Sequence, residues 1–320
     1  MRILVVLLMA SLLFNVAQLA AFRDYATGSQ PPFERFHSGE LTASDKIARL
    51  EISGIIMPPY TDRWLKAIDA IEKDDKVRGV LMIVDSPGGL VADSHQIYSR
   101  LKKLRGKKPI VVSMKRLAAS GGYYVAMGGG SEVKIFAEPT TWTGSIGVIM
   151  PRYNLAELAK TWGVKSEPLV TGPMKNTLDP LQEMTPEERQ IWMAILDDAF
   201  QRFVEVIVDG RGKLTADQVK PLATGQVYTA NQALANGLID AIGDEDDALN
   251  SLKSQLNLTN VRVIQYDFPI GVLDLVLGSS SAQQEGGNVK IDPLATLLEA
   301  NVPRAMYLFG WHPGLTHASP

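Results

Sequence analysis

Leu117-Ala118-Ala119-Ser120-Gly121-Gly122-Tyr123-Tyr124 sets one hydroxyl nucleophile between small apolar residues and two glycines, with aromatics directly behind. The stretch follows a buried-strand pattern, Pro109-Ile110-Val111-Val112-Ser113-Met114, and its continuation through Met127 reads as the start of a helix. A serine at such a strand-to-helix turn presents its Oγ at the carboxyl edge of a sheet, beside unpaired N–H groups of a helix start. Both features suit a nucleophile whose attack creates an oxyanion. Taken alone, the octapeptide reads as a tight turn with a serine cap. The rest of the chain reverses that reading.

A second glycine-rich turn, Asp85-Ser86-Pro87-Gly88-Gly89, closes the apolar run Val77–Val84. Two glycines after a proline let backbone N–H groups point into a cleft, which is what stabilising a developing oxyanion requires. On its own this is also an ordinary Pro-Gly turn. A serine further needs a base to take its proton. The four histidines are His37, His95, His312 and His317, and none of them falls between Ser120 and His312. His37 lies in a polar stretch, His95 on the helix after the glycine turn, and the last two in a terminal tail that makes a poor platform for catalysis. A neutral lysine is the remaining candidate, since burial brings an amine from about 10 toward 7 or 8. Lys175, beside Pro173 and Met174 and away from carboxylates, is the attractive choice, although any single lysine reads first as a solvated surface charge.

The elements that must hold these residues read as a parallel-rich α/β fold. Strand patterns at Ile47–Ile56, Val77–Val84 and Pro109–Met114 alternate with helical patterns at Trp64–Ile71 and Val91–Leu104. Sites in such folds lie at the carboxyl ends of strands. Further along, Val133–Ala137 is a strand, and Thr140–Val148 a turn into another. Asn154–Trp162 reads as helix, Val164–Val170 as extended chain and Thr171–Asn176 as a loop. Thr185-Pro186-Glu187-Glu188 has a helix-start signature, with Thr as N-cap and Pro at the first turn. Ala248–Leu256 is helical, and Val261–Tyr266 is the expected last strand.

Composition bounds the rest. The chain has 320 residues, 46% hydrophobic and 21% charged, with a net charge of -3 and no cysteine. These values describe a folded protein, give no reason to propose nucleic acid as a partner, and exclude disulfides and thiolate metal sites. Ile3–Phe22 is uncharged, about the length that crosses a bilayer as a helix. A retained anchor is preferred over a signal peptide cut near Leu19-Ala20-Ala21, and in both cases the body is exported. The expected organisation is an anchor over 1–22, a linker over 23–45, a catalytic domain over 46–268 and a partly flexible tail over 269–320. In that tail Arg304–Phe309 is an apolar peptide free to dock on the body or on a neighbouring subunit.

Together the N-terminal span, Asp85–Gly89, Ala118–Tyr124, Thr143-Gly144-Ser145-Ile146-Gly147-Val148 and Lys175 resemble the signal peptide peptidase A family in its short, single-repeat form. This family of serine/lysine peptidases has the Clp protease/crotonase-like fold of repeated ββα units. The resemblance covers roughly Ile47 to Tyr266. It implies Ser120 as nucleophile, Lys175 as general base, Ser145 as the group that holds the lysine amine, and the Gly89 and Gly121 amides as the oxyanion hole. It implies no cofactor or metal. It also implies a ring, usually of eight subunits, in which serine and lysine come from neighbouring copies. Its substrates are cleaved signal peptides and unfolded polypeptides, at a bacterial-type inner membrane with the catalytic domain on the exported side. Two positions depart from the family pattern: Asn176 stands where an acidic residue is frequent, and Asp179 where Ser commonly precedes the next proline. Two other readings of the same residues are a crotonase-like CoA enzyme and a catalytically silent, peptide-binding scaffold.

Overall fold

The computed structural model describes residues 8–9, 11–16, 18–19, 32–268 and 305–310. They belong to two compact units, Met1–Arg35 with Tyr266–Gly287, and Phe36–Gln265 with Asn288–Pro320. In the first unit the described residues between 8 and 19 are helical and expose Leu12, Leu13 and Phe14. Much of the expected span Ile3–Phe22 lies outside the described residues. Among the described residues no helix is long and apolar enough to cross a membrane. Arg35 pairs with Asp267 within this unit.

The strands in chain order are β1 (Phe33–Gly39), β2 (Lys46–Ser53), β3 (Val77–Ser86), β4 (Gly88–Leu90), β5 (Ile110–Ala119), β6 (Ile135–Ala137), β7 (Trp142–Gly144), β8 (Val227–Thr229), β9 (Ala241–Ile242), β10 (Arg262–Asp267) and β11 (Met306–Leu308). The helices are α1 (Tyr60–Lys73), α2 (Val91–Arg105), α3 (Gly121–Ala126), α4 (Ala156–Thr161), α5 (Pro186–Gly210), α6 (Ala216–Val219), α7 (Ala230–Ala235) and α8 (Glu245–Leu256). The main sheet has the order β1-β10-β2-β3-β5-β6-β9, with β7 branching from β5 and β8 pairing β7. The pairs from β10 through β2, β3, β5 and β6 to β9 are all parallel. Two elements differ from the sequence reading. Residues 33–39, read as linker, form a strand, and the segment expected as the last strand is followed by β11.

The strands are apolar on both sides because both sheet faces are covered, as parallel sheets require. Ile47, Leu81, Ile83, Val111 and Val263 pack on one face with Ala248 and Leu252 of α8. Their alternating neighbours Ala48, Val80, Met82, Val84 and Val112 are fully buried as well. Each such Val, Leu or Ile side chain contributes roughly 1.5–3 kcal/mol. The helix starts are fixed by capping boxes at Thr185, Thr215, Thr229 and Asp244, each worth about 1 kcal/mol.

One irregularity positions the site. The β3/β5 register shifts between Val84 and Ser86. β5 then changes partner, pairing β6 through Val112–Met114 and β7 through Leu117–Ala119. The end of β5 is thereby drawn toward β7, and Ser120 is the next residue.

Candidate active site

Ser120 sits at the carboxyl end of β5 with φ 54° and ψ -115°, and only 1% of its surface is exposed. A non-glycine residue in this region stores about 1–3 kcal/mol of backbone strain. Such a strained strand-to-helix turn is the geometry that sets a nucleophile at the carboxyl edge of a sheet. Backbone bonds hold it: Ser120 N–H donates to Gly144 O at 2.7 Å, and Tyr124 N–H donates to Ser120 O at 2.9 Å. The two following glycines are needed for close approach. A Cβ on Gly121 would lie 2.6 Å from Ser94 Oγ, and one on Gly122 would lie 2.8 Å from Ser86 O.

The Pro87-Gly88-Gly89 turn is shaped from within, since the buried Ser86 Oγ accepts from Gly88 N–H at 3.0 Å. Gly88 has φ 96°. Gly89 pairs directly with Tyr307 in the antiparallel ladder of β4 and β11. On either side of that pair Val91 N–H donates to Ala305 O and Phe309 N–H to Pro87 O. Hydrogen-bonded pairs recur every second residue in such a ladder, so Gly89 N–H faces Tyr307 C=O. A Cβ built on Gly88 would lie 2.0 Å from Tyr307 O and 2.6 Å from Gly121 N. Gly88, Gly89, Gly121 and the Tyr307 carbonyl thus converge on one spot. β11 is held on its other side by Ile149, which exchanges backbone bonds with Met306 at 2.9 Å each way.

Ser145 follows Gly144 and also has positive φ, 49°, with its N–H donating to Gln226 O at 2.7 Å. It lines a cleft of about 580 Å³ together with Ile149, Met193, Phe200, Leu308 and Phe309. The structure therefore joins the Ser120 and Ser145 turns through one backbone bond. Lys175 is not joined to them within the chain. It lies exposed on a 3-10 turn, Pro173–Asn176, and among the described residues its amine has no hydrogen bond or ion pair. The departures around it have a local role. Asp179 accepts from Ser166, Asn176 and Leu181 N–H. Burial raises the Asp179 carboxyl, but these bonds hold it below the ordinary carboxylate range. Asp179 thus braces the loop without engaging the lysine.

His95 is directed elsewhere than Ser120. Its Nδ1 and the Tyr124 hydroxyl are 2.7 Å apart. Burial, with the Arg202 charge in support, holds this imidazole below its usual range. His37 is exposed beside Ser38, and His312 and His317 lie outside the described residues. Among the described residues no group of three or more His, Asp or Glu could hold a metal ion. The sequence reading missed Ser86 as the brace of the glycine turn and Tyr307 as its partner. A Ser two residues before Gly, directly after an apolar run, was the available signal for the first. The apolar run Arg304–Phe309 flagged the second without revealing where it docks.

Comparison with known proteins bears on this arrangement. The sequence model of peptidase family S49 matches residues 102–259, and that of Clp protease matches residues 45–143. A protein assigned as signal peptide peptidase SppA in Enterococcus faecium is 34% identical over 85% of this chain and 83% of its own length. A protein assigned as a protease in Synechocystis is 41% identical over 63% of this chain and 72% of its own. Protease 4 of Salmonella typhi is 34% identical over 64% of this chain, which spans 33% of that longer protein.

Proposed function

The chain belongs to peptidase family S49, a serine peptidase family, and we propose that it is a membrane-anchored endopeptidase that cleaves spent signal peptides and unfolded exported chains with a Ser120/Lys175 dyad. The fold is the Clp protease/crotonase-like one, the anchor is the apolar segment Ile3–Phe22, and the working form is a ring of copies. The observation that carries the reading is the convergence of Gly88, Gly89 and Gly121 on a backbone carbonyl, beside a strained, buried serine.

In this mechanism a substrate strand adds to β4 and its carbonyl enters the space between the Gly89 and Gly121 amides. Lys175 from a neighbouring copy takes the Ser120 proton as Oγ attacks that carbonyl. Ser145 orients the amine by hydrogen bonding. The amides hold the tetrahedral oxyanion, an arrangement that typically contributes about 3 kcal/mol per donor. The lysine then gives its proton to the leaving amine, and water, deprotonated in turn, releases the acyl group. The free amine of Lys175 on an exposed turn supports a partner on another copy. A seam between copies excludes water, and so favours the neutral amine that a base must have.

The test is cleavage of a synthetic signal peptide by the parent, Ser120→Ala, Lys175→Ala and a mixture of the two variants. The expected result is loss in each variant alone and partial recovery in mixed rings, where some seams pair an intact serine with an intact lysine. Full activity of Lys175→Ala would remove the dyad. A parent inactive on every peptide would favour the peptide-binding scaffold.

A further inference from the structure

The ladder between β3 and β5 breaks at one place, and a single carboxylate fills the break. Val84 pairs with Met114 and Ser86 with Ala118, so Asp85 alone stands opposite Lys115, Arg116 and Leu117. A bulge of this kind leaves backbone groups without ladder partners. Asp85 supplies the missing acceptor, since Leu117 N–H donates to its Oδ1 at 3.2 Å. The Arg116 guanidinium donates twice to Oδ2, from Nε at 2.9 Å and from Nη2 at 2.6 Å. The Asp85 side chain is 13% exposed and that of Arg116 86%, so the arginine closes the plug from the solvent side. Toward β2 the same residue is held through its backbone: Ser53 pairs with it, and Gly54 N–H donates to its carbonyl at 3.0 Å.

The break sets which part of β5 meets the glycine turn. Strand side chains alternate with a period of two, so two extra residues keep every side chain on its own face while advancing the strand by about 6–7 Å. Without them Ser86 would stand opposite Arg116. With them Ser86 stands opposite Ala118, and Gly88 lies beside the Ser120 turn, where a Cβ on Gly88 would be 2.6 Å from Gly121 N. We propose that Asp85 is a positioning residue of the reaction, pinning the bulge and with it the offset that brings Ser120 level with the Gly89 and Gly121 amides. Its part in the reaction rests on the peptidase reading above, whereas the plug stands on geometry alone. Asp85 and Ser86 are consecutive and act on opposite turns: Ser86 Oγ holds the glycine turn, and the Asp85 carboxylate holds the strand that leads to the nucleophile. Removing the plug leaves Leu117 N–H without an acceptor and frees β5 to slip. Misplacing a nucleophile by about 1 Å costs on the order of a hundredfold in rate.

Two variants of the full chain test this. Asp85→Ala removes the acceptor, and Asp85→Asn keeps Oδ1 for Leu117 N–H while giving up the charge. Each is assayed for kcat and KM on a synthetic signal peptide. Each is also titrated with a peptide aldehyde, which adds to Ser120 and sets its oxygen between the amides, and with the matching peptide alcohol, which does not add. We expect Asp85→Ala to lower kcat about hundredfold with KM within about twofold, and to weaken the aldehyde by a similar factor while sparing the alcohol. Asp85→Asn should stay within about threefold of the parent in all four quantities. A general loosening of the cleft would move KM and the alcohol as well, and that pattern overturns the positioning role. Full activity of Asp85→Ala overturns it too, and so does an inactive Asp85→Asn, which decides the question even if Asp85→Ala does not fold. Hydrogen exchange over residues 114–121 follows the plug without any reaction, and should be faster in Asp85→Ala and unchanged in Asp85→Asn. Unchanged exchange in both overturns the plug. The expected exchange pattern in a protein that cleaves no peptide upholds the plug and sinks the peptidase reading.

Discussion

Ser120 N–H donates to the Gly144 carbonyl at 2.7 Å, so the turn that carries one serine of the site also fixes the turn that carries the other. Gly144 has φ 83°, and a Cβ there would lie 2.6 Å from the Tyr228 ring. Gly144→Ala is expected to lower stability by about 2 kcal/mol, a fall in Tm of several degrees. It should also reduce peptide cleavage at least about tenfold, because the nucleophile moves with its acceptor. Thermal denaturation and a peptide assay on one preparation check both.

The strain at Ser120 gives a second expectation. Ser120→Gly relieves the positive φ and should raise stability by about 1 kcal/mol while abolishing hydrolysis. Ser120→Ala keeps the Cβ and the strain, so it should abolish hydrolysis without the gain. Urea unfolding of the two variants beside the parent decides this, and equal midpoints would show the turn to be unstrained.

A third expectation concerns pH. Arg211 forms two 2.7 Å bonds to Asp240, whose carboxylate also accepts from Ile135 N–H. Burial raises the Asp240 carboxyl, but the Arg211 guanidinium and the Ile135 amide hold it below its ordinary 3.8. A carboxyl lowered by folding stabilises the protein above its unfolded value, and that contribution is lost as pH falls through the folded value. The pair should therefore contribute in full above about pH 5 and fade below it. Arg211→Met is expected to destabilise by about 2–3 kcal/mol near neutrality and to flatten this acid limb, as read from unfolding midpoints between pH 3 and 7.

The capping box of α5 offers a contrast. Thr185→Ala removes the bond from Glu188 N–H and should cost about 1 kcal/mol of stability. The first turn of the helix is far in sequence from Phe200 of the cleft, so peptide cleavage should stay within about twofold of the parent. Melting temperature and kcat/KM, measured together, test the separation.

Much of this arrangement was legible in the chain because local rules decide it. Val77–Val84 announced an apolar strand, and Thr185-Pro186-Glu187-Glu188 announced a helix start. The two glycine turns announced backbone brought close to something. What was not legible depends on contacts between distant residues. The change of partner along β5, from β6 at Val112–Met114 to β7 at Leu117–Ala119, leaves no mark in Lys115 or Arg116. β1 escaped notice because Phe33–Gly39 lies almost wholly exposed at a sheet edge, where no buried face enforces an apolar alternation. The docking of Tyr307 joins positions more than two hundred residues from β4, and only the fold brings them together.

The strand at Met306–Leu308 is gripped through its backbone along both edges, and this makes imino acids the residues it discriminates against. Met306 N–H is taken by Ile149 O, Phe309 N–H by Pro87 O, and Tyr307 N–H faces Gly89 in the ladder. Proline has no N–H to give at any of these places. At Leu308, by contrast, no N–H bond is present among the described residues, and a proline would forfeit nothing. A library of peptides with one proline moved stepwise through this frame would therefore trace the register of the cleft, position by position, without any change of side-chain pocket.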